Sequence, residues 1–393
     1  MPAFATNDAT AKDVAKDVAK DDLAVAITDR ERYSRQVLFA GIGEAGQQLL
    51  RQAHVAIVGV GATGAATAGL LARAGVGRLT LIDRDFVEPS NLQRQMLFDE
   101  DDARASLPKA EAARRHLQRI NSGVQVDAHI ADLVPQNAAE LLTAADIVLD
   151  CTDNFETRYL INDLCVRDAR PWIYAAAVGA YAATMNILPR AVSLSLPSAS
   201  PSLPPPPLPS TLYPLSSVPP TACLACIFPS APSGNLETCE TAGILSTAVN
   251  LAASLQVTEA LKFLTHQPHL MRRSLLSFDL WTGDRSEIST TRPRTDCEVC
   301  GERIFRALSG EQRPHITLCG RNSVQIHEHH RPIDLVALRK QLAPLGEVRA
   351  NGLLLRFERP PYSITVFPDG RALVQGTTDI GLARSLYARF LGS

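Results

Sequence analysis

Apolar residues along this chain fall into short unbroken runs separated by amphipathic stretches, the spacing expected of strands that alternate with helices. Residues 55–58 (Val-Ala-Ile-Val) and 79–82 (Leu-Thr-Leu-Ile) read as buried strands, with a helix over 65–74 between them and another over 45–52 ahead of them. The alternation continues with a helix over 110–120, a strand over 124–128, a helix over 136–143, a strand over 146–150 and a helix over 155–167. Strands over 172–177 and 183–188 follow, and a long apolar helix is expected over 244–264. Runs that are apolar on both faces and alternate with helices predict an α/β fold, a Rossmann-like, mostly parallel sheet.

Beyond residue 302 the pattern shortens. Strands are expected near 315–318, 323–326, 352–357, 362–367 and 372–375, with helices over 333–342 and 380–391. This predicts a small C-terminal α+β domain over 303–393, after a main domain over 29–302. Two stretches carry no such pattern. Residues 1–28 repeat Ala-Lys-Asp-Val with balanced charge and read as a solvated, disordered tail. Residues 189–221 are dominated by Pro, Ser and Leu, which excludes a helix or a central strand and predicts a surface insertion.

Composition narrows the classes. The chain has 393 residues, 46% of them hydrophobic, enough for two or three domains with buried cores. A formal net charge of −2 provides no broad field for nucleic acid or an anionic membrane surface. Without an apolar run of spanning length or a signal-like N-terminus, the expectation is a cytoplasmic protein.

The chemistry gathers around the first two strands. Gly59-Val60-Gly61-Ala62-Thr63-Gly64 follows the first strand and opens a helix, so backbone amides at the helix start face a ligand. Asp83 closes the second strand, where a carboxylate reaches a ribose. NAD, FAD and ATP folds all use such a loop, and a plain dehydrogenase is the default. The run Ser90-Asn91-Leu92-Gln93-Arg94-Gln95 shifts that default, because two amides and a guanidinium suit a triphosphate better than a nicotinamide ring. Farther on, the strand over 146–150 leads into Cys151-Thr152-Asp153-Asn154. Asp153 is placed to hold Mg²⁺ against a triphosphate, whereas Asn154 either donates to a phosphate or caps the next helix.

Eight cysteines are present, and four of them form two Cys-x-x-Cys pairs, Cys223/Cys226 and Cys297/Cys300. Four thiolates with no open position predict a closed tetrahedral Zn²⁺ site of structural type. Cys151 and Cys165 fit core positions.

With these motifs in order from Arg32 to Gly301, the chain resembles the ThiF/MoeB/HesA family, bacterial relatives of ubiquitin-activating enzymes. The resemblance implies ATP-dependent adenylation of the C-terminal glycine carboxylate of a small ubiquitin-like sulfur carrier protein ending in Gly-Gly, with release of pyrophosphate. It places Gly59, Gly61, Ala62, Gly64, Asp83, Asp85, the run from Ser90 to Gln95, Lys109, Asp153 and Asn154 around the nucleotide. Ala62 stands where the family usually has Gly. The resemblance also makes Lys109 a phosphate ligand, has Arg35 cross a homodimer interface to touch the partner's ATP, and makes Cys239 an acceptor in thioester formation or sulfur transfer. Glu237 and Glu240 beside Cys239 raise rather than lower a thiol pKa. Thiamine and molybdopterin synthesis use this machinery alike. The alternatives are a nucleotide-binding scaffold without turnover and an activating enzyme for another ubiquitin-like modifier.

Overall fold

The computed structural model describes residues 27–190, 218–230, 242–310, 316–319, 323–326, 332–350, 352–368 and 370–391. The expected N-terminal tail and most of the Pro-rich insertion lie outside them. The strands of the larger sheet are β1 (His54–Val58), β2 (Arg78–Ile82), β3 (Gln125–His129), β4 (Ile147–Asp150), β5 (Trp172–Val178), β6 (Tyr181–Ile187), β7 (Ser274–Asp279) and β8 (Arg285–Ser289). They pair in the order β3-β2-β1-β4-β5-β6-β7-β8. The first five run parallel, in registers such as Val55 opposite Leu79 and Ile147, and the last three run antiparallel. The chain therefore winds outward from β1 to β3, returns to β4 and winds the other way. That reversal opens a crevice between the C-terminal ends of β1 and β4, where open α/β sheets bind ligands.

Apolar side chains explain the layering. All five residues of β1 and all four of β4 are buried. One face of the sheet packs Leu50, Ile57, Leu71, Leu79, Leu117, Leu149 and Phe263 into a cluster with the helices Ala62–Ala74, Lys109–Ile120 and Ser246–Leu264. The other face packs Val58, Leu142, Leu160, Leu164, Trp172 and Met185 with the helices Pro135–Leu142 and Phe155–Arg167. The helix Ser246–Leu264 is tied to the crevice by the buried Gln256, whose amide donates to Asp150 O and Ile173 O, both at 2.9 Å.

A second sheet follows in sequence, with strands β9 (Ile316–Cys319), β10 (Ser323–Ile326), β11 (Glu347–Ala350), β12 (Leu355–Arg359), β13 (Tyr362–Val366) and β14 (Ala372–Gln375). It is antiparallel throughout, in the order β11-β12-β13-β14-β10-β9. The helices Leu335–Leu342 and Ile380–Leu391 cover it, and Val324, Leu338, Phe357, Val366, Leu386 and Phe390 form its own apolar cluster. Three strands carry too few apolar residues in sequence to announce themselves: β8 is exposed at every position, β11 alternates only weakly, and β7 interleaves serines with leucines.

Candidate functional site

The crevice is built from three loops, at the ends of β1, β2 and β4. After β1, Gly59 takes φ +85°, and a Cβ there would lie 2.7 Å from Cys151 O, so only glycine lets this turn approach the loop after β4. The helix Ala62–Ala74 starts directly after Gly61 and has no side-chain cap. Its first-turn amides are thus presented to the crevice together with the positive end of its dipole. The helix opens three residues earlier than expected, because Ala62 and Thr63 already adopt its first turn. Gly64 packs more tightly than Gly59: a Cβ would overlap Gly59 O and lie 3.3 Å from the Cys151 side chain. Gly64→Ala is therefore expected to cost about 1–3 kcal/mol by overpacking and to weaken ATP binding, measured by melting curves and titration calorimetry on one sample.

Asp83, just after β2, faces back across the loop. One carboxylate oxygen accepts from Val60 N at 2.6 Å and the other from Asp85 N at 2.7 Å. Burial pushes the Asp83 carboxyl up; the positive Lys109 opposes this and the negative Asp85 adds to it. Lys109, 3% exposed, is held between: its backbone N donates to Asp85 O at 2.8 Å and its Nζ lies 3.1 Å from Asp85 Oδ2. A buried ammonium on a half-buried carboxylate at a helix start is a charge that an incoming phosphate can share.

The run from Ser90 to Gln95 divides its labour. Pro89–Asn91 form a 3-10 turn; the buried Asn91 Oδ1 accepts from Glu88 N at 3.1 Å, so this amide shapes the loop. Leu92 packs against the first apolar cluster. Arg94 donates to Ser90 O at 2.7 Å, while Ser90 and Gln93 are exposed. Gln95 is the informative residue: it is 3% exposed, a Cβ on Gly61 would lie 4.0 Å from its Nε2, and its Oε1 has no hydrogen-bond partner. The unpaired atom is the carbonyl oxygen, an acceptor, so it would take a hydroxyl or N–H of a ligand and not a phosphate oxygen, and leaving it buried without such a donor is costly.

Beyond β4, Asp153 is exposed at the crevice rim. Asn154 caps the helix Phe155–Arg167, its Oδ1 accepting from Thr157 N at 2.8 Å, and the cap leaves the Nδ2 donor out of this bond. The residue missed from sequence is Arg158. It is buried, its Nε lies 3.2 Å from Asp150 Oδ2, it donates to Thr152 O, and its guanidinium carbon stands 4.8 Å from the Tyr174 ring and 5.3 Å from that of Phe155. This pair fixes the loop that carries Asp153. The signal was present: Asp150 closes a fully buried strand, and a buried carboxylate requires a nearby cation.

Arg35 lies on the short helix Ser34–Val37, away from these bonds, and makes no hydrogen bond or ion pair among the described residues. Its neighbours Leu38 and Phe39 are 74% and 66% exposed. Cys239 lies outside the described residues.

The four cysteines converge although two pairs are separated by 74 positions. Cys223 Sγ lies 3.8 Å from Cys226 and 3.6 Å from Cys297, and Cys226 lies 3.4 Å from Cys300. Disulfides need about 2.05 Å, whereas sulfurs around a tetrahedral Zn²⁺ stand about 3.8 Å apart for Zn–S bonds near 2.3 Å. The donor set therefore fits zinc. Cys223 donates to Cys226 and lowers the pKa of that thiol, which favours the thiolate a metal ion requires.

Comparison with known proteins comes to the same place. Over 365 residues, 92% of this chain and 99% of that one, the sequence is 42% identical to the sulfur carrier protein ThiS adenylyltransferase of Bacillus subtilis. It is 37% identical to the adenylyltransferase and sulfurtransferase MOCS3 of Sus scrofa, covering 69% of this chain but only 53% of that one, so this chain spans about half of that relative's length. The crystal structure of E. coli MccB shares the fold, with a TM-score of 0.55, 24% identity and coverage of 70% of this chain and 74% of that one. The ThiF family matches residues 33–299. With a relative 42% identical across nearly its whole length and a family match over most of the chain, this protein belongs to the ThiF family.

Proposed function

We propose that the protein is an ATP-dependent adenylyltransferase acting on a small ubiquitin-like sulfur carrier protein that ends in Gly-Gly. The observation that carries this reading is the end-to-end similarity to the ThiS adenylyltransferase of Bacillus subtilis, joined to the helix start after Gly61, whose first-turn amides no side chain caps. That relative favours a ThiS-like carrier and thiamine synthesis over a MoaD-like carrier and molybdopterin synthesis. Residues 29–302 form the catalytic domain and 303–393 an appended one, in a cytoplasmic homodimer.

The carrier's terminal carboxylate attacks the α-phosphorus of ATP, the bond to the β-phosphate breaks, and pyrophosphate leaves. Amides at Gly61, Ala62 and Gly64 cradle phosphate oxygens, Asp83 faces the ribose, and Asn91 keeps the loop in shape. Lys109 exchanges its partner Asp85 for phosphate, and with Arg94 it offsets the charge that gathers on the leaving pyrophosphate. Asp153 is the carboxylate that would hold Mg²⁺, an ion that would supply positive charge against the triphosphate. The four cysteines hold a structural Zn²⁺. In a later step the Cys239 sulfur attacks the carrier's acyl-adenylate carbonyl, forming a thioester as the bond to AMP breaks and AMP leaves.

Arg35 completes the site from the partner subunit: an unpaired guanidinium flanked by the exposed Leu38 and Phe39 is an interface cation. The test is carrier-dependent ATP–pyrophosphate exchange with a ThiS-like protein, and exchange with no requirement for a carrier would sink the reading. For the shared site, a mixture of inactive Arg35→Ala and inactive Asp153→Ala subunits should regain about a quarter of wild-type exchange, since half of the random dimers hold one intact site. No recovery after demonstrated subunit mixing would place Arg35 elsewhere.

A further inference from the structure

The loop between β2 and the helix Lys109–Ile120 faces the crevice on one side and the C-terminal sheet on the other. Asp85 turns inward to Lys109, as described, but its neighbour Phe86 turns outward and is 2% exposed. It is buried with Leu354 and Phe367 of the C-terminal unit, against Ile130. Arg356 of β12 closes over this contact. Its guanidinium carbon lies 5.0 Å from the centroid of the Phe86 ring, and its NH1 lies 3.8 Å from Glu88 Oε1. Both side chains of that ion pair are only 20% exposed, so it is partly shielded from solvent. A second tie runs beside it, from Arg371 to Ile130 O at 3.0 Å.

Glu88 is also the residue from which the 3-10 turn begins. Its N donates to Asn91 Oδ1 at 3.1 Å and its O accepts from Asn91 N at 2.9 Å, while Val87 N donates to Leu107 O at 2.8 Å. Residues 85–91 thus alternate between groups that face the nucleotide site and groups gripped from outside.

We propose that the C-terminal unit is a brace for the nucleotide loop, and that Arg356 is its positioning residue, holding Phe86 and Glu88 so that Asp85, Lys109 and Arg94 stand ready for ATP. This rests on the adenylyltransferase reading for the identity of the ligand. Loops at strand ends lack a hydrogen-bonded ladder of their own, and their position has to be set by what they pack against. Arg356 never touches the crevice. Its effect passes through Phe86 to Asp85 and through Glu88 to Asn91, the chain of contacts by which packed elements couple.

The test compares Arg356→Ala, Arg356→Lys and Arg389→Ala in the full-length protein. Arg389 stacks on Phe390 at 5.4 Å, in the C-terminal unit but not on the loop, and serves as the control. Arg356→Ala should raise both the calorimetric Kd for ATP and the KM for ATP in exchange by roughly 2–30-fold, with kcat at saturating ATP and the melting temperature close to wild type. Arg356→Lys, which keeps the charge beside Glu88 but loses the flat stacking group, should fall between, and Arg389→Ala should leave ATP binding unchanged. Unaltered ATP affinity in Arg356→Ala, or an equal loss in Arg389→Ala, would overturn the brace while leaving the adenylyltransferase reading intact. A wild-type protein that binds no ATP would overturn that reading and the brace with it.

Discussion

Asp153→Ala is expected to reduce carrier-dependent ATP–pyrophosphate exchange by about 10²–10³-fold, the scale of losing one preorganised group that stabilises transition-state charge, with the melting temperature unchanged. The side chain is exposed just past the end of β4 and makes no hydrogen bond or ion pair among the described residues, and substitutions at such positions usually stay within about 0.5 kcal/mol. Three residues earlier the outcome differs. Asp150 is fully buried against Arg158, and Asp150→Ala leaves that guanidinium without its counter-charge, at a cost of about 3–5 kcal/mol. Activity and stability should therefore fall together for Asp150→Ala and separate for Asp153→Ala. Exchange and differential scanning calorimetry on the two variants decide it. Normal exchange by Asp153→Ala at limiting Mg²⁺ would remove this carboxylate from metal positioning and, with it, the assignment of the crevice rim.

The parallel half of the fold was legible because burial writes itself into composition. β1, β2 and β4 are built mostly of apolar residues and are buried at all but one of their positions, as expected of strands covered on both faces. The strands past β6 were harder, for the same reason inverted. β8 is an edge strand exposed at all five residues, and nothing in Arg-Ser-Glu-Ile-Ser separates it from a loop. Its place is set by pairing with β7, a tertiary fact that local sequence does not carry.

Within the site, what was legible was chemical type at fixed spacing: the glycine loop, Asp83 after β2, and the two Cys-x-x-Cys pairs. Spacing could not tell which polar groups face the ligand and which build the loop. Asn91 and Asn154 prove to be bonded to their own backbone neighbourhood, whereas Gln95, two residues past the exposed Gln93, holds the orphaned amide oxygen. The Arg158–Asp150 pair escaped because it spans a strand end and a helix whose mutual approach is defined only once the sheet forms. The contact of Phe86 with Leu354 and Phe367 joins positions more than 260 residues apart, beyond any local periodicity.

The largest effect on stability is expected at the cysteine cluster. Cys297→Ser should abolish stoichiometric zinc and lower the melting temperature. The four sulfurs sit inside the apolar cluster that includes Leu224, Val299 and Trp172, with Cys223 at 1% and Cys297 at 4% exposure. Without an ion, the close-packed thiols are left with one another and with backbone donors such as Arg294 N, 3.4 Å from Cys226 Sγ. An ion bound there also joins segments far apart in the chain, and closing a loop of this length restricts the unfolded state by about 4 kcal/mol in the loop-entropy estimate used for cross-links. For a domain of this size that corresponds to a fall of roughly 8–16 °C. Four thiolates leave no position for water or substrate, so the specific activity of the folded fraction at low temperature should stay near wild type. Metal analysis, melting curves and exchange assays on Cys223→Ser, Cys226→Ser, Cys297→Ser and Cys300→Ser should show metal content and stability falling together in all four. A Cys297→Ser protein that keeps its melting temperature, contains no zinc and has lost exchange would show that the ion serves the reaction instead of the fold.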